Sequence, residues 1–299
     1  MSCAIRTHGL SKKFRRTPVL DGLDLEVPSG SIYGLVGANG AGKTTTIKCL
    51  MNILPPTAGR SEVLGVDSRR LAPAQFAQIG YVSENQEMPL WMTVAWFLDY
   101  LSHFYPTWDR ALAADLVRQF QLPLDRKLRH LSHGMRMKAA LASSLAYRPK
   151  LMVLDEPFTG LDALVRDELI EGFLPRAENT TIFISSHDLT EIESFASHIG
   201  YLDRGRLQFS EELETLSGRF REIVVTVNGV PQGPADWPAH WLQPEKGAAV
   251  VRFVETQFDE ERTPSEVRRL FPGFRDMAVS AMPLRSIFVT LAKAGRTAA

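Results

Sequence analysis

The sequence predicts an α/β protein with a parallel sheet at its centre and a small α/β appendage at its C-terminal end. Three features of the chain predict this. The run Leu151-Met152-Val153-Leu154 is apolar throughout and Thr181-Ile182-Phe183-Ile184 is so after its threonine, as strands buried on both faces are, and helical patterns alternate with them. A glycine-rich turn at residues 37–42 lies between an apolar run (Ile32, Tyr33, Leu35, Val36) and a helical one (Thr46, Ile47, Leu50, Met51, Ile53). Beyond Gly218 this pattern ends and a different set of short β-like segments takes over.

From Ala4 to Val36, short apolar runs separated by turn signals at Gly9, Thr17-Pro18, Asp21-Gly22 and Pro28-Ser29-Gly30 read as tightly connected strands. Phe14 stands among Lys12, Lys13, Arg15 and Arg16. Such a ring is suited to stacking on a purine, and an edge-strand aromatic is the plain alternative. In the turn that follows, Gly37, Gly42, Lys43 and Thr44 fit a phosphate-binding P-loop, with Asn39, Gly40, Ala41 and Thr45 completing the cradle. Its backbone N–H groups wrap phosphate oxygens at a helix N-terminus while the lysine reaches the β- and γ-phosphates. Thr44, next to the lysine, is the residue expected to ligate Mg²⁺. The loop implies a nucleoside triphosphate and names no task.

A second antiparallel patch (residues 60–67), a short helix from Pro73 and a strand at Ile79-Gly80-Tyr81-Val82 come next. Residues 89–148 read as an all-helical insertion rich in aromatics (Trp91, Trp96, Phe97, Tyr100, Phe104, Tyr105, Trp108), more than a subdomain of this size readily hides. The groove near Trp91, Trp96 and Phe97 is the expected partner surface. The chain then returns to α/β, with one strand ending in Asp155-Glu156 and another at His187. In a parallel sheet these termini meet the P-loop at the carboxyl ends of the strands. Paired carboxylates there divide the work: Asp155 helps hold Mg²⁺ and Glu156 polarises the attacking water.

With 299 residues the chain is long enough for one large domain and a small one, set here at 1–218 and 219–299. Thirty-four basic and thirty-four acidic residues cancel, so the balance calls for neither nucleic acid nor an anionic membrane surface. Two cysteines form no disulfide framework, and Cys49 reads as a buried free thiol, in keeping with a reducing compartment. No signal-peptide core is present at the N-terminus, and the apolar stretch 88–105 is broken by Thr93, Asp99, Ser102 and His103. The expectation is a chain that does not cross a membrane by itself.

In order and spacing these motifs, with Leu131-Ser132-His133-Gly134-Met135 before the Asp155 strand, resemble the ATP-binding subunit of an ABC transporter over residues 4 to about 216. Residues 37–45 look like its Walker A loop, 131–135 like its LSGGQ signature, 151–156 like its Walker B strand and Phe158-Thr159-Gly160-Leu161-Asp162 like its D-loop. His187 in Ser-Ser-His-Asp falls at the switch histidine, and Phe14 at the aromatic that stacks on adenine. The resemblance implies an ABC-type P-loop NTPase fold, ATP and Mg²⁺ as ligands, and ATP hydrolysis. It also implies a head-to-tail dimer in which Ser132 and the N–H of Gly134 contact the γ-phosphate held by the opposite chain, with Asp162 of the D-loop-like segment counted among the nucleotide-binding residues. A separately encoded permease, reached from the cytoplasmic side and serving export, would be the partner.

The chain departs from the family consensus at three places. His133 and Met135 replace a glycine and the glutamine of LSGGQ, and Glu84 stands where the Q-loop glutamine is expected, with Gln86 two residues on. The metal ligand there is Glu84 or Gln86. Phe158 replaces a small polar residue. Homodimer and heterodimer both remain open, and the appendage is similar in placement to the extension of ABC-2-type exporter ATPases, with a regulatory, dimer-stabilising or inert role. The alternative function is a soluble ABC ATPase acting on ribosomes or nucleic acid, but twin cassettes with a basic linker, or a long coiled coil, are not seen here. A protein that only sequesters a ligand would have no use for Glu156 and His187.

Overall fold

The computed structural model describes residues 2–177, 179–229, 234 and 236–297. It divides into two compact units, Met1–Ser210 and Glu211–Ala299, a few residues ahead of the division at 218/219 read from sequence.

In the first unit β1 (Cys3–Phe14), β2 (Thr17–Leu23) and β3 (Glu26–Pro28) lead to β4 (Ile32–Val36) and α1 (Lys43–Leu50). Then follow β5 (Ala58–Val63), β6 (Val66–Asp67), α2 (Pro73–Phe76) and β7 (Ile79–Ser83). The helical insertion consists of α3 (Val94–Ser102), α4 (Arg110–Gln119) and α5 (His133–Leu145). The chain returns to the sheet with β8 (Leu151–Asp155), α6 (Ala163–Phe173), β9 (Thr181–Ser186), β10 (His198–Asp203) and β11 (Arg206–Glu212).

The antiparallel sheet has the order β2-β1-β5-β6, with β3 also on β1. The second sheet has the order β11-β10-β4-β9-β8-β7, and its pairs from β10 to β7 are parallel. This order explains why residues far apart in sequence share one site. β9 lies between β4 and β8, so Val36 sits beside Ser186, Asp155 beside Ser185, and Ser83 beside Asp155. Four carboxyl-terminal strand ends therefore open at one edge. All five residues of β8 and all six of β9 are buried, as their apolar runs Leu151–Leu154 and Ile182–Ile184 require, and the polar Asp155, Ser185 and Ser186 are buried with them at the site end. Leu35, Ile47, Leu50, Leu151, Val153 and Phe183 belong to the core that α1 shares with the sheets. Cys49 is buried within it, and burial raises its thiol pKa.

The second unit contains α7 (Leu213–Arg219), β12 (Arg221–Val227), β13 (Trp241–Lys246), β14 (Val250–Glu255), α8 (Arg262–Leu270), β15 (Phe274–Ala281) and α9 (Leu284–Thr297). Its antiparallel sheet runs β13-β14-β12-β15 over a core that includes Ile223, Val225, Trp241, Phe253, Val267 and Phe271. Two local readings are corrected. Glycine, proline and tryptophan through residues 229–247 predict a long loop, but the stretch contains β13, although residues 230–233 and 235 lie outside the described residues. Pro244 is tolerated because β13 is an edge strand, with a register shift between Leu242 and Glu245 and Gln243 at φ 51. Thr263-Pro264-Ser265-Glu266 has the sequence pattern of a capping box with proline at the first helical position, but the helix start is displaced from it. α8 starts at Arg262, two residues before Pro264, and Asp259 Oδ1 accepts from the N–H groups of Glu261 and Arg262 at 3.0 and 2.7 Å. Thr263 is wholly buried, its hydroxyl accepting from Asp259 N–H.

Candidate functional site

The turn after β4 is forced into shape by its neighbours. A Cβ on Gly37 would lie 2.2 Å from the Leu202 carbonyl oxygen, and Gly40 and Gly42 have φ of +81° and +114°, so glycine is required at each. The loop brings Lys43 to the start of α1 with its ammonium buried. Lys43 Nζ donates to the carbonyls of Gly37 (2.6 Å) and Ala38 (3.2 Å) and lies 3.0 Å from Glu156 Oε1. A buried cation of this kind is tolerable only when its donors are satisfied.

β8 delivers the two carboxylates into different surroundings. Asp155 is 3 % exposed, and its Oδ1 accepts from Thr44 Oγ1 at 3.0 Å and from Ser185 Oγ at 2.8 Å. Burial raises its pKa against these hydroxyl bonds. Glu156 has left-handed backbone, φ 52, which turns its side chain into the cavity mouth. Its Oε2 accepts from His187 Nδ1 at 2.7 Å and from Thr159 Oγ1 at 3.1 Å. Burial pushes the Glu156 carboxyl up, but hydrogen bonds and charges from His187 and Lys43 outweigh it and hold the pKa below its ordinary value. The same hydrogen bond raises His187. Because a carboxylate only accepts, the proton in this contact is on Nδ1.

A cavity of about 490 Å³ opens here, lined by Val19, Asn39, Gly40, Gly42, Lys43, Thr44, Thr45, Glu84, Glu156, Thr159 and His187. Glu84 thus joins the phosphate loop, and its N–H donates to the Asp155 carbonyl at 3.0 Å. Gln86 is exposed and lines two other cavities. Gly37 and Ala41 support the loop from beneath, and Ala41 N–H donates to the Ala38 carbonyl. Phe14 ends β1, 45 % exposed, with Lys12 Nζ 5.2 Å from its ring centre; it is Val19 on the paired strand β2 that lines the cavity. Ser132, Gly134 and Asp162 are not brought to this cavity. Ser132 and Asp162 cap α5 and α6, accepting from Met135 N–H (3.2 Å) and Val165 N–H (3.0 Å). Gly134 is packed so tightly that a Cβ would lie 2.7 Å from Val165 Cγ1.

An ABC transporter family profile matches residues 20–159. The chain is 31 % identical over 221 residues to ABC transporter ATP-binding protein YtrB of Bacillus subtilis (strain 168), an alignment covering 73 % of this chain and 75 % of that protein. This chain belongs to the ABC transporter ATP-binding proteins. It is also 31 % identical over 227 residues to bacitracin transport ATP-binding protein BcrA of Enterococcus faecalis, covering 74 % of this chain and 73 % of the relative. A solved structure of an ATP binding subunit of an ABC transporter superposes with a TM-score of 0.65 at 26 % identity, covering 72 % of this chain and 92 % of that one. The ABC fold, nucleotide binding and ATP hydrolysis follow, as does kinship with ABC-2-type exporter ATPases.

Three residues that matter to this ABC ATPase site were not singled out from sequence: Ser185, Thr159 and Val19. Ser185 bonds Asp155 and accepts from Glu156 N–H at 3.0 Å, but a serine inside an apolar strand announces no partner until strand order is known. Phe158, which had no assigned role, is a core residue edge-on to Phe195. The aromatic groove is also redrawn. Phe97 is 5 % exposed while Trp91 and Trp96 are 54 % and 51 % exposed, stacked edge to face on each other. The groove at Phe97, about 480 Å³, is lined by Met51, Ile53, Tyr81, Phe97, Tyr100 and Tyr105 among others, and by neither tryptophan. Among the described residues no helix is long and apolar enough to cross a membrane.

Proposed function

We propose that this ABC ATPase energises a separately encoded membrane permease, in export, by closing and opening on ATP as a head-to-tail homodimer. The observation that carries the reading is Glu156, held at the mouth of the phosphate-loop cavity by Lys43, His187 and Thr159. Its lowered pKa keeps the carboxylate ionised near neutrality, which a group that must take a proton from water requires. His187, bonded through Nδ1, orients Glu156 and leaves Nε2 to meet a γ-phosphate oxygen. Backbone N–H groups of residues 39–45 and the Lys43 ammonium cradle the phosphates, and Phe14 offers its exposed face to the adenine.

The donor set suits Mg²⁺. Thr44 Oγ1, Asp155 Oδ1 and the Glu84 carboxylate are hard oxygen ligands beside or lining one cavity. When bound, the ion supplies positive charge to the β- and γ-phosphates. Ser185 and Thr44 hold Asp155 in place, and Glu84 is the better-placed Q-loop ligand because it lines the phosphate cavity.

The dimer is the reading under which Ser132, the Gly134 N–H and Asp162 find use: each would serve the nucleotide bound by the opposite chain. Both half-sites are present in one sequence, so a homodimer suffices. The apolar groove at Phe97 and Tyr100 suits a cytoplasmic helix of the permease, through which the chain would sit peripherally at the inner face of the membrane. BcrA, a relative named for bacitracin transport, supports the lean to export.

Replacing Glu156 with glutamine keeps the shape and removes the base. Hydrolysis is expected to fall by roughly 10²–10⁴-fold, with ATP still bound. A Glu156→Gln protein turning over at half the parent rate would overturn the assignment.

A further inference from the structure

His133 is the first residue of α5, at a position where the signature consensus has no side chain. Its ring is partly buried, and Nε2 lies 3.2 Å from the Thr159 carbonyl oxygen. A carbonyl only accepts, so Nε2 carries the proton in this contact. Thr159 in turn donates its hydroxyl to Glu156 Oε2 at 3.1 Å and its N–H to the Glu156 carbonyl at 3.3 Å. One residue is thus gripped from opposite sides, by His133 at its carbonyl and by Glu156 at its hydroxyl and amide.

We propose that His133 is a positioning residue for Glu156 of its own chain, acting through Thr159. The anchor it offers is firm. Gly134 packs against Val165, and Lys138 Nζ pairs with Glu168 Oε2 at 2.5 Å, so the first turns of α5 are fixed to α6. The segment being held is the short turn between β8 and α6, where Gly160 takes a φ of +72°. A ring at position 133 restrains that turn, and with it the hydroxyl that sets the Glu156 side chain. Glu156 Oε1 faces Lys43 and Oε2 faces His187 and Thr159, so loss of Thr159 leaves Oε2 held by His187 alone. A displacement of the base by a fraction of an ångström acts on turnover and leaves nucleotide affinity alone.

The inference rests on Glu156 being the base, and the test separates the two. ATP turnover and KM would be measured for His133→Leu, His133→Gln, Thr159→Ala and the Leu/Ala double variant, with Glu156→Gln alongside and thermal unfolding recorded for each. His133→Leu is expected to lower kcat about tenfold with KM within about twofold. His133→Gln, whose amide can still donate to the carbonyl, is expected to recover most of that loss. Thr159→Ala should lower kcat comparably, and the double variant should be no worse than either single change, because both break one linkage. Parent kcat in His133→Leu, a raised KM at unchanged kcat, or fully additive losses would each overturn the proposal. If Glu156→Gln itself remains active, it is the assignment of the base that fails. Should His133→Leu unfold, the His133→Gln and Thr159→Ala comparison still decides, since an isosteric donor that behaves like Thr159→Ala contradicts it.

Discussion

At the carboxyl ends of β4, β8 and β9, polar side chains turn inward and pair with one another: Lys43 with Glu156, Thr44 and Ser185 with Asp155, His187 with Glu156. At the start of α5 the reverse holds. Ser132 is exposed, and its hydroxyl accepts from the Met135 N–H of its own helix. The first region is organised for chemistry within one chain, because buried charges persist only where neighbours satisfy them. The second is a helix N-terminus with its hydroxyl at the surface, an arrangement suited to an anion brought by another molecule. On the proposed reading one chain carries a catalytic half and a docking half, and the two should respond differently to change.

The largest expected effect comes from Ser132→Arg, which places a bulky cation on the docking half. ATP-driven dimerisation should be lost and turnover should fall by more than about a hundredfold, while each monomer still binds nucleotide. Equilibrium binding of a fluorescent ATP analogue beside turnover measures both. Unchanged turnover would erase the distinction between the two regions.

Glu84 sharpens the comparison inside the catalytic half. Glu84→Ala is expected to raise the Mg²⁺ concentration for half-maximal hydrolysis several-fold, about 1 kcal/mol of binding, and Gln86→Ala to leave it near the parent value. Magnesium titration of the rate reads this directly, and the opposite pattern would move the ligand to Gln86.

The smallest effect is on stability. His187 is raised by its bond to Glu156, so its share is complete below its ordinary pKa of 6.5 and fades as pH rises through the higher folded value. Glu156 is lowered, so its share is complete above its ordinary 4.5 and fades as pH falls through the lower folded value. The contact is therefore most stabilising between about 4.5 and 6.5. The difference in thermal midpoint between the parent and His187→Asn should be greatest in that window and shrink above it. A difference that grows toward alkaline pH would contradict the assigned charges.

The cluster of Lys43, Thr44, Asp155, Glu156 and His187 was legible in sequence because its parts are local: a glycine loop, an apolar strand ending in Asp-Glu, a histidine at a strand end. What was not legible depends on contacts across the sheet. Ser185 and Thr159 acquire their roles from β8 lying beside β9 and from the left-handed turn at Glu156. The strand β13 was hidden by Pro244 and by the turn residues before it, which an edge position tolerates. The start of α8 was misread because Thr263, a residue type that usually caps, is buried as the second residue of the helix while Asp259 accepts from the N–H groups at its start. Exposure of Trp91 and Trp96 against burial of Phe97 could not be assigned from helical spacing alone.

The central claim is that ATP joins the catalytic half of one chain to the docking half of another. Light scattering coupled to size-exclusion chromatography of Glu156→Gln, with and without ATP, tests it most directly. The account predicts a dimer with ATP that returns to monomer when nucleotide is removed, and no dimer when Ser132→Arg is added. A protein that stays monomeric with saturating ATP, or one that dimerises equally well when it also carries Ser132→Arg, would contradict it.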